Sequence, residues 1–196
     1  GKKWVNYWLH NEFLVVNKEK MAKSSGSFLT LQKLIDAGFD PLDYRFFLLG
    51  GHYRSQLAFS WEAMETAKNA RKNLEQRIAN LLTEAKTLPD FPTSGVTAEQ
   101  AVSLLHTEKA RCYLADFVHA LEEDISTPRA LSVLQLTVKD KELEVGEVIT
   151  LIRIFDTVLA LQLIEEAKSL HTEPESIDNA EEIERLEELI DWCVKR

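Results

Sequence analysis

The chain has 196 residues, 45% hydrophobic and 28% charged, which is the balance of a globular protein and not of a disordered one. Its net charge of −9 counts against a general nucleic-acid binder, although clustered Lys and Arg still permit a specific RNA contact. No apolar run approaches the roughly 20 residues of a membrane span, and no signal-peptide pattern is present.

The chain opens Gly1-Lys2-Lys3-Trp4 without an initiator Met, as the middle of a longer protein or a tag remnant would. Phe13-Leu14-Val15-Val16 is a short β-branched run that predicts a strand, followed by a polar turn at Asn17-Lys18-Glu19-Lys20 and a flexible loop at Ser24-Ser25-Gly26-Ser27. Thr30 caps a short helix over residues 31–37 that Gly38 ends. From there everything reads as helix. Asp40-Pro41 opens an almost all-round apolar segment with Tyr44, Phe46, Phe47, Leu48 and Leu49, expected to be buried and stopped by Gly50-Gly51. Ser60 caps a long helix whose Trp61, Met64, Ala67, Leu74, Ile78, Leu81 and Leu82 fall near helical spacing.

Pro89, Pro92 and Gly95 make a loop, and Thr97-Ala98-Glu99-Gln100 is a capping-box pattern opening the next helix. That helix turns Ala101, Leu104, Leu105, Cys112, Phe117, Val118 and Leu121 inward. Thr127-Pro128 starts another helix, running to about Val138. Val148, Leu151, Ile152, Phe155, Val158, Leu159 and Leu163 mark a fourth long one. A polar linker around His171 to Asn179 leads to an acidic amphipathic helix from Ala180, with Glu181, Glu182, Glu184, Glu187 and Glu188 opposite Ile183, Leu186 and Ile190. The fold class is therefore mainly α, an antiparallel helical bundle behind a small strand-and-loop element. Cys112 and Cys193 match no zinc spacing and read as reduced thiols of a cytosolic protein, Cys112 packed inside a helix.

The stretch with the most chemistry is Lys20-Met21-Ala22-Lys23-Ser24-Ser25-Gly26-Ser27. Two lysines three apart bring point charges that suit phosphate oxygens, and the small residues let a backbone close over a ligand. On composition alone such a loop is more often a solvated surface than a phosphate site. The five residues Lys20 to Ser24 resemble the Lys-Met-Ser-Lys-Ser motif of class I aminoacyl-tRNA synthetases. Val5-Asn6-Tyr7-Trp8-Leu9-His10-Asn11 is similar to the Tyr-Trp-x-His stretch that precedes this motif in the cysteine enzymes. Tyr44-Arg45-Phe46-Phe47-Leu48-Leu49 and Gly51-His52-Tyr53-Arg54-Ser55 resemble that family's Leu-Arg-Tyr-Phe-Leu-Leu-Ser-Gly-His-Tyr-Arg-Ser. Asp124 to Leu131 resembles Asp-Phe-Asn-Thr-Pro-x-Ala-Leu, and Phe155 to Leu161 resembles Phe-Asp-x-Val-Leu-Gly-Leu. Ala22, Ser25-Gly26-Ser27, Ser126 and Ala160 depart from these patterns. Ala22 and Ser25 to Ser27 imply altered loop closure, Ser126 and Ala160 a packing or capping variation.

On these landmarks the chain is identified as a member of the cysteinyl-tRNA synthetases, cut to the part that begins just before the lysine motif. The resemblance implies that residues 1–38 end the catalytic domain and that residues 39–170 form the class I anticodon-stem-binding (DALR-like) bundle. Residues 171–196 would start an incomplete anticodon-recognition region. It implies a cytoplasmic, monomeric ligase that uses ATP with Mg2+, cysteine and tRNA(Cys), inactive as this fragment alone. Lys23 would be the ATP contact, with Lys20 assisting or holding the loop. The family's zinc, which reads the substrate thiol, would be held by upstream residues, so neither cysteine nor His10 is a ligand and the metal set of this chain is empty.

His52, Tyr53 and Arg54 are expected to pin the bundle to the catalytic domain, the alternative being a contact with the tRNA acceptor arm. Arg71, Lys72, Arg77, Lys109 and Arg111 are candidate phosphate contacts or plain helix surface. Trp61, Phe117 and Phe155 read as core. Competing readings are the related ligase that joins cysteine to an amino sugar, and a non-catalytic helical scaffold.

Overall fold

The computed structural model describes residues 4–16, 19–20, 29–85, 89–92 and 96–170, the last strand positions by backbone alone. The β-branched run forms β1 (Leu14–Val16), which turns into β2 (Glu19–Lys20); Glu19 and Lys20 thus belong to a hairpin and not to a turn. Thr30 accepts from the Lys33 amide and starts α1 (Leu31–Asp36). Gly38, at φ 84°, supplies the left-handed residue that ends it.

Helix α2 (Pro41–Leu49) carries a capping box: the Asp40 carboxylate accepts from the Leu42 amide at 2.7 Å, and Asp43 accepts from the Asp40 amide at 2.9 Å. Phe46 and Phe47 are buried as expected, but Leu48 faces outward and is 41% exposed. A strand that the helical reading missed follows, β3 (Leu57–Phe59). It pairs in parallel with β1 (Leu14 with Leu57, Val16 with Phe59), so the sheet order is β2-β1-β3 with α1 and α2 in the crossover. Three residues between a Ser-Gln pair and a cap are too few for a periodicity signal.

The bundle begins with α3 (Trp61–Glu84), capped by Ser60 accepting from Ala63 at 3.0 Å. Trp61 is 49% exposed and is not core; it closes a ring cluster with Phe39 and Phe59 at the helix start. The next expected helix is two: α4 (Ala98–Ser103), with the capping box between Thr97 and Gln100, and α5 (Glu108–Glu122). The break is made from a distance. Glu147, buried, accepts from the amides of His106 and Thr107 at 2.7 Å and from the Thr107 hydroxyl at 2.6 Å, while Thr107 caps α5. Burial opposes its charge, but these bonds leave the Glu147 carboxyl below its ordinary pKa. Cys112 lies exposed on α5, and Val118 is 38% exposed, so neither packs inward.

Helix α6 (Thr127–Lys139) opens with Thr127-Pro128 as read, and α7 (Val145–Leu159) follows. The fourth long helix ends at residue 159. Ala160 and Gln162 are both left-handed, and α8 (Leu163–Ser169) starts in a new direction; Val158 is 52% exposed. Asp156 holds this corner by accepting from the Leu161 amide at 2.7 Å and the Leu163 amide at 2.8 Å, and Arg45 of α2 donates to the Leu159 carbonyl at 2.6 Å. Phe117 and Phe155 stack at 4.1 Å in the centre of the core, as the sequence predicts.

Arg71 is no surface residue. It is buried on α3 between Asp43 (2.8 Å) and Glu75 (2.6 Å), with Glu166 of α8 at 3.4 Å, and so locks α2, α3 and α8 together. Cys193, the linker around residue 171 and the expected acidic helix lie outside the described residues.

Candidate functional site

The β1–β2 hairpin sets the start of the lysine motif. Lys20 stands opposite Val15 of the central strand, so the motif leaves the sheet directly from the pairing register. Met21, Ala22, Lys23 and Ser24 lie outside the described residues, as does the side chain of Lys20.

On the other side of β1, the segment from Gly51 to Ser55 joins the sheet to the bundle. The Glu12 amide donates to the Tyr53 carbonyl at 2.8 Å, which ties this segment to the chain entering β1. The Tyr53 hydroxyl donates to Asp124 at 2.6 Å, Arg54 Nε reaches the other carboxylate oxygen at 2.9 Å, and His52 Nε2 lies 3.8 Å away. The hydrogen bond from Tyr53, then the charges of Arg54 and His52, hold the Asp124 carboxyl below its ordinary pKa. The Thr127 hydroxyl adds a bond to the Gly51 carbonyl at 3.3 Å. Gly51 lies close to Leu57: a Cβ there would sit 3.0 Å from its Cδ1.

Asp124 belongs to an unusual turn. It has φ 61° and Ile125 has φ 51°, and the Ser126 amide closes the turn on the Ala120 carbonyl at 2.9 Å. Asp tolerates this region; a β-branched residue does not, so the turn stores strain where it meets the Gly51–Ser55 segment. Sequence reasoning singled out His52, Tyr53 and Arg54, and the structure brings them together, but it gave Asp124 no role. Only its place in a family landmark marked it, because its partner lies on another element. Between this segment, α2 and β1 lies a hollow of about 420 Å³ lined by Asn11, Tyr44, Leu48, His52 and Tyr53.

His10 stacks on Trp8 at 5.9 Å, and Trp4, Tyr7 and Trp8 are strongly exposed beside it. Among the described residues no group of His, Cys, Asp and Glu comes together to hold a metal ion. Of the candidate phosphate contacts, Arg71 is buried, Lys109 is bound to Asp140 (2.7 Å) and Glu142 (2.6 Å), and Arg111 donates to the Leu105 carbonyl at 3.0 Å. Lys72 and Arg77 stay on the surface. No described helix is long and apolar enough to cross a membrane.

A family profile for the class I (C) tRNA synthetase catalytic domain matches residues 1–69, which takes in the sheet, α1, α2 and the start of α3. A cysteine–tRNA ligase of Treponema denticola is 50% identical over 194 residues, covering 96% of this chain and 39% of that protein. The chain is homologous to the cysteine–tRNA ligases. The corresponding ligase of Treponema pallidum is 41% identical over 85% of this chain, and that of Borrelia turicatae 34% identical over 84%. This homology runs through sheet and bundle alike. The chain spans about two-fifths of the length of the first two of these cysteine–tRNA ligases and a third of the last.

Proposed function

We propose that the chain is the part of a cysteine–tRNA ligase that carries the second ATP-contacting motif and the helices that bind tRNA(Cys). The observation that carries this reading is the 50% identity to such a ligase over 96% of the chain. In the reaction, a carboxylate oxygen of cysteine attacks the α-phosphorus of Mg2+-bound ATP. The bond to pyrophosphate breaks, and the cysteinyl group then passes to the terminal ribose of the tRNA. Lys23 stabilises the charge that builds on the phosphates during the attack, and Lys20 assists or holds the loop closed. The β1–β2 hairpin supports this assignment, since it fixes the backbone from which the loop departs.

In this reading residues 1–38 complete the catalytic domain, 39–170 form the tRNA-binding bundle, and 171–196 begin the anticodon-recognition region. The segment from Gly51 to Ser55 pins the first of these to the second: the Tyr53 carbonyl accepts from the Glu12 amide, while Tyr53 and Arg54 are held on Asp124 within the bundle. The zinc that discriminates cysteine from serine would be held by the rest of the enzyme, which works as a monomer in the cytoplasm.

The test is cysteine-dependent exchange of labelled pyrophosphate into ATP by the full-length enzyme and its Lys23→Ala variant. Exchange with cysteine but not serine, cut about 10²-fold or more by the substitution, is expected. Exchange absent with every amino acid in the folded, zinc-loaded enzyme would overturn the reading in favour of a scaffold.

A further inference from the structure

Most cations of the bundle already have a partner. Arg45 donates to Leu159, Arg54 to Asp124, Lys68 to the Gly38 carbonyl, Arg129 to Glu123 and Arg153 to the Pro89 carbonyl. Arg71, Lys109 and Arg111 are bound as described, and Lys33 and Lys168 also have partners. Among the described residues, Lys72, Arg77, Lys139 and Lys141 are left without a hydrogen bond or ion pair.

Arg77, Lys139 and Lys141 line one continuous groove between α3 and the end of α6. Its two sections, about 190 and 470 Å³, share Arg77, Val138 and Lys139. The uncharged exposed polar residues along its two helical walls are the amides Asn73, Asn80 and Gln135. Asn80 accepts from Gln76 through its oxygen, which keeps its NH2 group available to donate. The floor is apolar, with Leu74, Val138 and Leu143 buried. Two carboxylates also line it. Glu84 stands at one end, and Asp140 is taken up by Lys109 and by the Tyr113 hydroxyl at 2.8 Å.

Compensation of a helix dipole accounts for only one of the cations. Lys139 sits in the last turn of α6, where a positive charge is favourable. Arg77 lies two turns before the end of α3, and Lys141 lies beyond α6. Arg, Lys, Asn and Gln are the side chains that bind phosphate oxygens in nucleic-acid complexes, and a low-dielectric floor strengthens each such contact.

We propose that this α3–α6 groove is the surface on which the sugar-phosphate backbone of RNA lies, with Arg77, Lys139 and Lys141 each meeting a phosphate. The proposal deepens the tRNA-binding half of the proposed function and rests on it. It requires no base contact and so carries affinity without sequence preference.

The experiment is titration of labelled unfractionated tRNA with the 196-residue chain across a salt series. Each single variant, Arg77→Gln, Lys139→Gln or Lys141→Gln, should weaken binding about fivefold and lower the log–log salt slope by about one, and the triple variant should weaken it about 10²-fold. Arg129→Gln, some ten residues away at the other end of α6, should change neither. Thermal melts of all variants should coincide, which separates lost contacts from lost fold. Tight tRNA binding that the groove variants leave intact would overturn the groove and spare the ligase reading. No tRNA binding at about 50 mM salt would overturn the groove and the RNA half of that reading together, while pyrophosphate exchange still decides the ligase. Displacement of tRNA by poly-glutamate at equal charge and equal potency would reassign the groove to acidic peptides and overturn it as an RNA surface.

Discussion

The Tyr53 hydroxyl donates a 2.6 Å hydrogen bond to Asp124, a residue that sits at φ 61° in the turn between α5 and α6. The pair joins the sheet that carries the lysine motif to the helical bundle at one point. Tyr53→Phe should lower the urea midpoint of the chain without changing the slope, since it deletes one contact and leaves the folded surface alone. Asp124→Asn should do the same, because Asn tolerates a positive φ as well as Asp and only the charge is lost. In the double variant the two losses should fall short of additive, and a fully additive result would show that the pair is not coupled.

Ala160 occupies the left-handed corner between α7 and α8 at φ 50° and ψ 50°. An L-residue there costs roughly 1–2 kcal/mol, against about 0.5–1 kcal/mol of extra chain entropy that a glycine would lose on folding. Ala160→Gly should therefore stabilise the chain by about 0.5–1 kcal/mol, read from chemical denaturation. The corner itself is kept by Asp156 and Arg45 in both forms.

Arg71 is buried with the carboxylates of Asp43 and Glu75, and the partly exposed Glu166 lies at the edge of the cluster. Arg71→Met leaves Asp43 and Glu75 without it and should cost about 3–5 kcal/mol, measured by thermal or urea unfolding. Burial, offset by Arg71 and reinforced by Glu166, raises the Glu75 pKa above its ordinary value of 4.5. A raised carboxyl favours the folded state in its protonated form. Relative to Glu75→Gln, the unmodified chain should thus gain stability as pH falls from neutral through the raised value, level off below about 4.5, and lose that gain on return to neutral.

Asp140 has the opposite sign. Lys109 and the Tyr113 hydroxyl hold its carboxyl down to about 2, from an ordinary 3.8. Its contribution is present above 3.8 and is lost as pH falls toward 2. The stability difference between the unmodified chain and Asp140→Asn should stay flat from neutral pH to about 4.5 and shrink below it. A difference that instead widens on acidification would contradict the Lys109 contact.

Local signals carried the reading of the sequence a long way. Thr30, Asp40, Ser60 and Thr97 all cap the helices expected of them, because a cap is written in three or four adjacent residues. The two missed breaks were imposed from elsewhere: Glu147 terminates nothing in its own helix but holds the start of α5, and Asp156 turns the chain at 160 against a continuous apolar pattern. Arg71 and Trp61 were misplaced for the same reason, since their partners, Asp43 and Phe39, lie on other elements. Within the candidate site, His52, Tyr53 and Arg54 could be picked out as a motif, whereas the carboxylate that gathers them could not.

The parallel pairing of β1 with β3 also constrains the order in which the chain can assemble. β1 can fold back on β2 as soon as both leave the ribosome, since a hairpin is local. Its other edge stays bare until α1, α2 and β3 have all been synthesised. For that interval the β1–β2 hairpin keeps open backbone groups along this edge of β1, which leaves it open to mispairing with a neighbouring chain. Any truncation that removes Leu57 to Phe59 would make that transient state permanent.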